Sequence, residues 1–241
     1  MIDLHVHTNY SDGKMSPNEL LVLYNTKEFE GISFTDHDSI KVYDELKSLK
    51  IPGTIKIIPG VELTLNEMGY EFHILSYGFT IDNDKKEFLK IIGERKRYGT
   101  ANRIKEINRK LKLDGLKEVN KNELMCGKIP HSYQIAKAIT ECNNLPYEKS
   151  YEKYVTPVRF SILRNLPSIN DAHQVGFKNL ILAHPFSKYH SLKEYCKFTQ
   201  NDYKETLINL FETNLSGIEV YSGRHSPEQI AILESITQGN N

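Results

Sequence analysis

Six short apolar runs recur along the chain and predict β-strands. Segments with helical spacing lie between several of these runs. Strands separated by helices of this length predict an α/β fold, built either on a parallel sheet or on a β/α barrel. The six runs are IDLHV, GISFTD, IKIIPGVELT, EFHILSY, NLILAHP and GIEVYS.

Helix boundaries can be read at several points. Ser16 is placed to cap a helix that has Pro17 at its first position and Glu19 three residues after the cap. The segment SPEQIAILESI repeats the same Ser-Pro start. A long charged segment, DNDKKEFLKIIGERKRYGTANRIKEINRKLK, also predicts a helix, with Gly93 and Gly99 as potential breaks.

The middle of the chain differs from the rest, because helical stretches occur there without an alternating strand. ANRIKEINRKL and SYQIAKAIT both read as helices. We therefore expect one domain over residues 1–241, with barrel parts at about 1–100 and 165–241. A helical insertion at about 100–165 packs over one end of it.

Composition narrows the classes of function. The 241 residues carry 31 basic and 31 acidic side chains, so the net charge of zero indicates no long nucleic acid as partner. No leader and no run of about 18 apolar residues is present, which predicts a cytoplasmic protein without a membrane span. Cys126, Cys142 and Cys196 form no C-x-x-C pair, which favours a reducing compartment.

Histidines and acidic residues, which commonly bind metal ions, follow or interrupt the apolar runs. His5 and His7 are two residues apart on a predicted strand, so both point to the same face. In β/α folds the carboxyl ends of the strands converge on one face. Imidazole and carboxylate donors without thiolate suit zinc, manganese or iron. The donors, run by run, are His5 and His7; Asp36, His37 and Asp38; Glu62; His73; His184; and Glu219 with Tyr221.

Each of these residues also has a structural interpretation when taken alone. His73 could be a core histidine, Glu62 a surface acid, and Asp12 a turn residue before Gly13. Several charges and imidazoles converging on buried strand ends would, however, need a common compensating group. Metal ions supply that compensation.

The motifs DLHVHTNYSDG, TDHDSI, PGVEL, FHILSYG, LILAHP and GIEVYSGRHSP resemble, in order, those of the polymerase and histidinol phosphatase (PHP) family. The resemblance implies a metal-dependent phosphoesterase on a distorted (β/α)7 TIM-like barrel. Asp12 in the SDG motif resembles the subgroup of nucleotide phosphatases and exoribonucleases. Histidinol phosphatases usually carry histidine there, so Asp12 counts against that activity, which stays a further alternative.

The resemblance also implies a ligand set for two to three divalent ions, either manganese, zinc or iron. His5, His7 and Glu62 would hold one ion, and Glu62 would bridge to a second held by His73 and His184. A metal-bound hydroxide would hydrolyse a small phosphate ester such as a nucleotide or a short oligonucleotide, with Glu62, His7 and His184 as the catalytic core. Asp12 and His37 would hold the third ion.

Substrate contacts are implied on the same basis. Arg97 and Arg103 lie where relatives carry phosphate-binding arginines, and Arg95 is a weaker candidate; solvent exposure on a charged helix is the alternative. His173 and His190 match nothing in the family and read as ordinary surface or loop residues. The remaining candidates are Lys128, His131 and His225.

The chain departs from its relatives at its end, where they continue into a further strand with a D-x-H motif. We expect this C-terminal strand to be missing, which would leave the first ion three protein ligands and the third ion two. Truncation, closure of the barrel in a dimer, or a non-catalytic metal- and nucleotide-binding module would each account for this departure.

Overall fold

The computed structural model describes residues 1–188 and 190–238. The chain divides into two units, which we call the metal unit and the helical unit. The metal unit comprises Met1–Lys90 and Pro167–Asn241, and the helical unit comprises Ile91–Leu166. The sequence had placed the boundaries of the insertion at about 100 and 165.

Within its described residues, the metal unit contains seven strands in two sheets. Strands β1, β2 and β3 form a parallel sheet in that order. In the second sheet β4 pairs with β5 and β5 with β6 in antiparallel fashion, and β6 pairs with β7 in parallel. An isolated bridge between His37 and Glu62 links the two sheets. The strands are β1 (Ile2–Val6), β2 (Gly31–Phe34), β3 (Lys56–Ile57), β4 (Gly60–Glu67), β5 (Tyr70–Tyr77), β6 (Ile181–Leu182) and β7 (Gly217–Ile218).

The predicted alternation of parallel strands and helices is wrong at β4 and β5, which form a hairpin. Only Met68 and Gly69 separate the two strands, and both have positive φ, at 50° and 72°. A parallel crossover needs a dozen or more residues, whereas a two-residue turn of this hand joins antiparallel strands. The fold is therefore a mixed α/β structure in which one apolar run, IKIIPGVELT, contributes to two strands.

Eleven α-helices occur in the described ranges. The predicted cap of α1 is confirmed, because the Ser16 side chain accepts from the Glu19 N–H and the Glu19 carboxylate accepts from the Ser16 N–H. In chain order the helices are α1 (Pro17–Thr26), α2 (Val42–Leu46), α3 (Asn83–Leu113), α4 (Lys121–Leu124), α5 (Ser132–Asn143), α6 (Tyr147–Ser150), α7 (Thr156–Ser161), α8 (Ile169–Gln174), α9 (Leu192–Thr199), α10 (Tyr203–Phe211) and α11 (Pro227–Gln238), with a π-helical stretch at Tyr151–Val155.

Helix α3 runs for 31 residues through both potential breaks. Gly99 is required by packing, because a Cβ there would lie 2.5 Å from Cγ of Arg164. Gly93 has open space around it and is tolerated within the helix. Across the described ranges, no helix combines the length and the apolar character needed to cross a membrane.

The two faces of β4 position the centre of the candidate site. Val61, Leu63 and Leu65 alternate along the strand and are completely buried in the core. Glu62 and Thr64 point to the opposite face and are also buried, each at 1% exposure. A strand anchored by three buried apolar side chains therefore holds a carboxylate out of water.

Candidate metal centre

The carboxylate of Glu62 lies at the centre of a cluster of five imidazoles. Its side chain is 1% exposed, so it needs partners to offset the loss of hydration. Both of its oxygens take part. Oε2 lies 3.2 Å from Nε2 of His5, 3.0 Å from Nε2 of His7 and 3.2 Å from Nδ1 of His37, and Oε1 lies 3.1 Å from Nδ1 of His73 and 2.9 Å from Nε2 of His184.

Strand β1 aims His5 and His7 at the same point, as the alternation of a strand predicts. Their Nε2 atoms lie 3.1 Å apart. Two nitrogens bound at 2.0–2.1 Å to a tetrahedral ion lie about 3.3 Å apart. The spacing therefore fits two ligands of one cation.

The loop after β2 is fixed against β4 by Asp38, which has a φ of 49°. The Asp38 carboxylate accepts hydrogen bonds from the N–H of Thr64 at 2.7 Å and from its hydroxyl at 2.9 Å. The N–H of Asp38 donates to the Glu62 carbonyl at 2.9 Å. These contacts hold His37 beside the Glu62 side chain.

His73 and His184 approach Glu62 from the second sheet. His73 lies within β5, opposite Thr64 of β4, so this donor interrupts its strand instead of following the strand's end. The antiparallel pairing explains the difference, because a residue in mid-strand can face the same site. His184 follows β6 with a φ of 31°, in the left-handed region.

Asp12 lies on a turn beside the cluster. Its Oδ1 is 3.3 Å from Nδ1 of His7, and its Oδ2 is 3.8 Å from Nε2 of His37. The fully buried Asp36 secures this turn by accepting from the N–H and hydroxyl of Thr8, each at 2.7 Å, and from the hydroxyl of Ser11 at 2.6 Å. Asp36 thus supports the turn, although the sequence had grouped it with the donors.

Among the described residues, three overlapping sets of side chains could each bind a metal ion. Within each set, the ligand atoms lie within 4.8 Å of one another. The sets share members, so neighbouring cations could share ligands. All donors are nitrogen and carboxylate oxygen, a chemistry that suits zinc, manganese and iron. The residues therefore fit a site for divalent metal ions. The sets are His5, His7 and Glu62; His7, Asp12 and His37; and His37, Glu62 and His73.

Glu219 belongs to the site, although the sequence marked it only as a donor after the sixth run and gave it no role. Its Oε1 lies 3.0 Å from Nδ1 of His5, and its Oε2 accepts from the N–H of His184 at 2.6 Å. A carboxylate behind a metal-binding imidazole orients the ring and fixes its tautomer. Glu219 therefore positions two of the histidines at once.

The electrostatics of the cluster are strongly coupled. Burial would lower the pKa of His5, but hydrogen bonds and charge interactions with Glu219 and Glu62 outweigh it and raise this pKa to about 10. Burial would raise the pKa of Glu62, but the surrounding histidines hold it well below its ordinary value. The site thus keeps a buried negative charge and attracts cations, including protons.

The sequence did not predict the contacts of two other histidines, His190 and His225. His190, expected to be an ordinary loop residue, stacks on His73 with ring centroids 4.8 Å apart and an interplanar angle of 12°. His225, which the sequence offered as a substrate residue, forms hydrogen bonds to backbone groups. Its Nδ1 lies 2.9 Å from the Val220 carbonyl, and its Nε2 lies 3.5 Å from the Phe186 N–H.

A cavity of about 700 Å³ opens beside the cluster within the metal unit. His5, His7 and Glu219 line one part of it, and apolar side chains line much of the rest. This volume is in the range of small-molecule sites. Tyr77 and Arg224 are further lining residues.

The other candidate substrate residues lie in the helical unit. Arg97 is exposed and donates to the Gly127 carbonyl at 3.4 Å, and Lys128 is exposed beside it. Arg103 is 4% exposed and donates to the carbonyls of Ile162 and Arg159, which places its guanidinium in the interior of this unit. Arg95 donates to the Asn165 carbonyl at 2.9 Å, and the ring of His131 stacks on Tyr133 at 5.8 Å.

The sequence model of the PHP domain family matches residues 3–225 of this chain. The chain belongs to the PHP domain family. A 5′-3′ exoribonuclease of Haemophilus influenzae is 30% identical over 139 residues, which are 58% of this chain and 45% of that protein. The match therefore spans less than half the length of this relative.

Two solved structures share the fold at 20% identity. An amidohydrolase from Chromobacterium violaceum, with bound sulfate and no metal, superposes with a TM-score of 0.69 over 99% of this chain and 83% of its own. A candidate metal-dependent phosphoesterase from Bifidobacterium adolescentis superposes with a TM-score of 0.68 over the same shares. These likenesses support the barrel-like class of fold expected from the sequence.

Proposed function

We propose that this PHP domain protein is a metal-dependent phosphoesterase that hydrolyses small phosphate esters, namely nucleotides or short oligonucleotides. One observation carries the proposal: both oxygens of the buried Glu62 face imidazole nitrogens at 2.9–3.2 Å, three on one side and two on the other. Such a carboxylate can serve two cations. Family membership supports phosphoester chemistry at this centre.

Two or three divalent ions would be held by His5, His7, Asp12, His37, Glu62, His73 and His184. When bound, such ions lower the pKa of water and neutralise the charge of a phosphate group. The remaining contributions come from the protein itself.

The protein orders the ligand atoms before substrate arrives. Glu219 accepts a hydrogen bond from Nδ1 of His5, which leaves Nε2 as the nitrogen that would bind an ion on losing its own proton. The same carboxylate fixes the backbone of His184. Asp36 holds the turn that carries Asp12. A rigid centre loses little freedom on reaction, which favours catalysis over simple binding.

The substrate class rests on size and on the relatives. A cavity of about 700 Å³ beside His5 and His7 has room for a nucleotide. The Haemophilus influenzae relative is an exoribonuclease, and the Chromobacterium violaceum structure contains sulfate, an anion shaped like phosphate. A substrate that carries a phosphate ester fits the size of the cavity and the activity named for the Haemophilus influenzae relative.

The test is hydrolysis with Mn²⁺ present, measured as phosphate release from a panel of nucleotides, including adenosine 3′,5′-bisphosphate, and as p-nitrophenol release from the diester bis(p-nitrophenyl) phosphate. We expect turnover by the chain, loss of turnover in His7→Ala, and normal turnover in His173→Ala, whose exposed histidine lies on α8. Equal activity in both variants would overturn the site assignment. Nucleotide binding without product would instead support the non-catalytic module.

A further inference from the structure

The zero net charge of the chain conceals a division between its two units. The helical unit, residues 91–166, carries 16 basic and 8 acidic residues, a net charge of +8. The rest of the chain carries 15 basic and 23 acidic residues, a net charge of −8. A charge balance taken over the whole sequence therefore understates the attraction of the helical unit for polyanions.

Part of this positive charge lies along one face of α3. Its positions 95, 98, 102, 105, 109 and 112 are spaced by three and four residues, so they share a face of the helix. All are exposed except the half-exposed position 102, and none is acidic. We call this face the basic stripe; it consists of Arg95, Tyr98, Asn102, Lys105, Arg109 and Lys112.

The opposite face of α3 explains why the stripe is exposed. Ile104, Ile107 and Leu111 are at most 1% exposed and pack in the core of the helical unit. The stripe is about 26 Å long, from 17 residue steps of 1.5 Å each. Helix geometry thus sets basic side chains in a row along a rigid rod.

Two features of the stripe fit a nucleic acid strand. Tyr98 is 74% exposed, and an exposed aromatic ring between basic side chains offers a base a surface on which to stack. Arg109 pairs with Glu106 at 2.7 Å, but both side chains reach solvent, so this ion pair is weak and a phosphate can compete for it.

We propose that the basic stripe binds single-stranded nucleic acid, with its lysines and arginines against phosphates and Tyr98 stacked on a base. The inference deepens the proposed function, on which it rests, by selecting oligonucleotides over free nucleotides as substrates. The metal unit alone carries a net charge of −8 from its side chains, and two or three divalent ions would reduce this charge without reversing its sign. The helical unit supplies the attraction that the metal unit lacks.

The test is fluorescence anisotropy of a labelled oligouridylate of about 12 nucleotides, a length within the usual range of single-strand sites. Binding to the full chain is measured in chelator, so that no hydrolysis occurs, between about 50 and 200 mM salt. The variant Lys105→Gln/Arg109→Gln/Lys112→Gln is compared with Lys27→Gln/Lys50→Gln/Lys56→Gln, which removes the same charge from exposed positions of the metal unit.

We expect the stripe variant to bind at least tenfold more weakly at low salt. Its slope of log K against log salt should shrink by about 2, because each lost phosphate contact changes the slope by about 0.7 on single strands. Tyr98→Ala should weaken binding severalfold with an unchanged slope. The control variant should bind as the unaltered chain does.

Absence of RNA binding by the unaltered chain, or equal losses in the two triple variants, would overturn the inference. So would stripe-dependent binding that heparin or an acidic protein reproduces with equal affinity. Release of phosphate from a mononucleotide should be unchanged in the stripe variant. A chain that binds RNA but, with Mn²⁺ present, hydrolyses neither a mononucleotide nor the oligouridylate would contradict the proposed function and leave the RNA-binding stripe standing.

Discussion

Replacing Glu62 by glutamine keeps the size of the side chain and removes the negative charge that contacts five imidazoles. The two carboxylate oxygens face different histidines, three at Oε2 and two at Oε1. An amide cannot offer an anionic oxygen to both sides. We therefore expect Glu62→Gln to weaken the binding of two ions, each by at least 100-fold.

Thermal unfolding measures this loss of Mn²⁺ affinity, because bound Mn²⁺ raises the Tm of the folded chain. Free Mn²⁺ at a hundred times the Kd of one site stabilises the folded state by about 2.7 kcal/mol. For a chain of this length each kcal/mol raises Tm by about 2–4 °C, so one site contributes about 5–11 °C. With Kd raised 100-fold, the same Mn²⁺ concentration leaves about 0.4 kcal/mol, or about 1 °C.

The assay is Tm in chelator and in Mn²⁺ for the unaltered chain, for Glu62→Gln and for Glu212→Gln, whose exposed carboxylate follows α10. The Glu212 variant should show the full Mn²⁺-dependent rise. An equal rise in Glu62→Gln would refute the assignment of Glu62 as a shared ligand.

Three further predictions follow from neighbours of the cluster. Glu219→Gln should weaken Mn²⁺ binding by about 10- to 100-fold in calorimetry, because it orients a ligand without binding the ion; unchanged affinity would contradict this role. His190→Ala should weaken Mn²⁺ binding whereas His190→Phe should not, because the stacked ring on His73 needs no nitrogen; a loss in both variants would contradict stacking. In chelator, Tm should fall as pH rises from about 6.5 towards 10, because the folded-state pKa of His5 is raised to about 10. Protonated His5 stabilises the folded state fully below its pKa in the unfolded chain, and this stabilisation is lost as pH rises through its pKa in the folded chain. The variant His5→Asn should therefore show a smaller decrease of Tm with pH.

Much of the site could be predicted from local sequence. A two-residue spacing on a strand placed His5 and His7 on one face, and the Ser16 cap set the start of α1. The hairpin was missed although its signal was present: the six residues between the runs IKIIPGVELT and EFHILSY, which include Gly69, leave no room for a parallel crossover.

Other features depend on contacts that the sequence order does not reveal. Glu219 meets His5 across 214 residues, through pairings of short strands whose neighbours a single sequence does not specify. The stacking of His190 on His73 depends on the path of the loop after β6. The net charge of the whole chain does not reveal the basic stripe, because the charges of the two units, +8 and −8, cancel in the sum.

The most direct test of the central claim is metal reconstitution. The chain is stripped with chelator and titrated with Mn²⁺, while bound metal and phosphate release from the best nucleotide substrate are measured together. The account predicts no turnover without metal, turnover that rises as two or three ions bind, and almost none at any Mn²⁺ concentration in Glu62→Gln. Full turnover by the metal-free chain, or by Glu62→Gln, would contradict it.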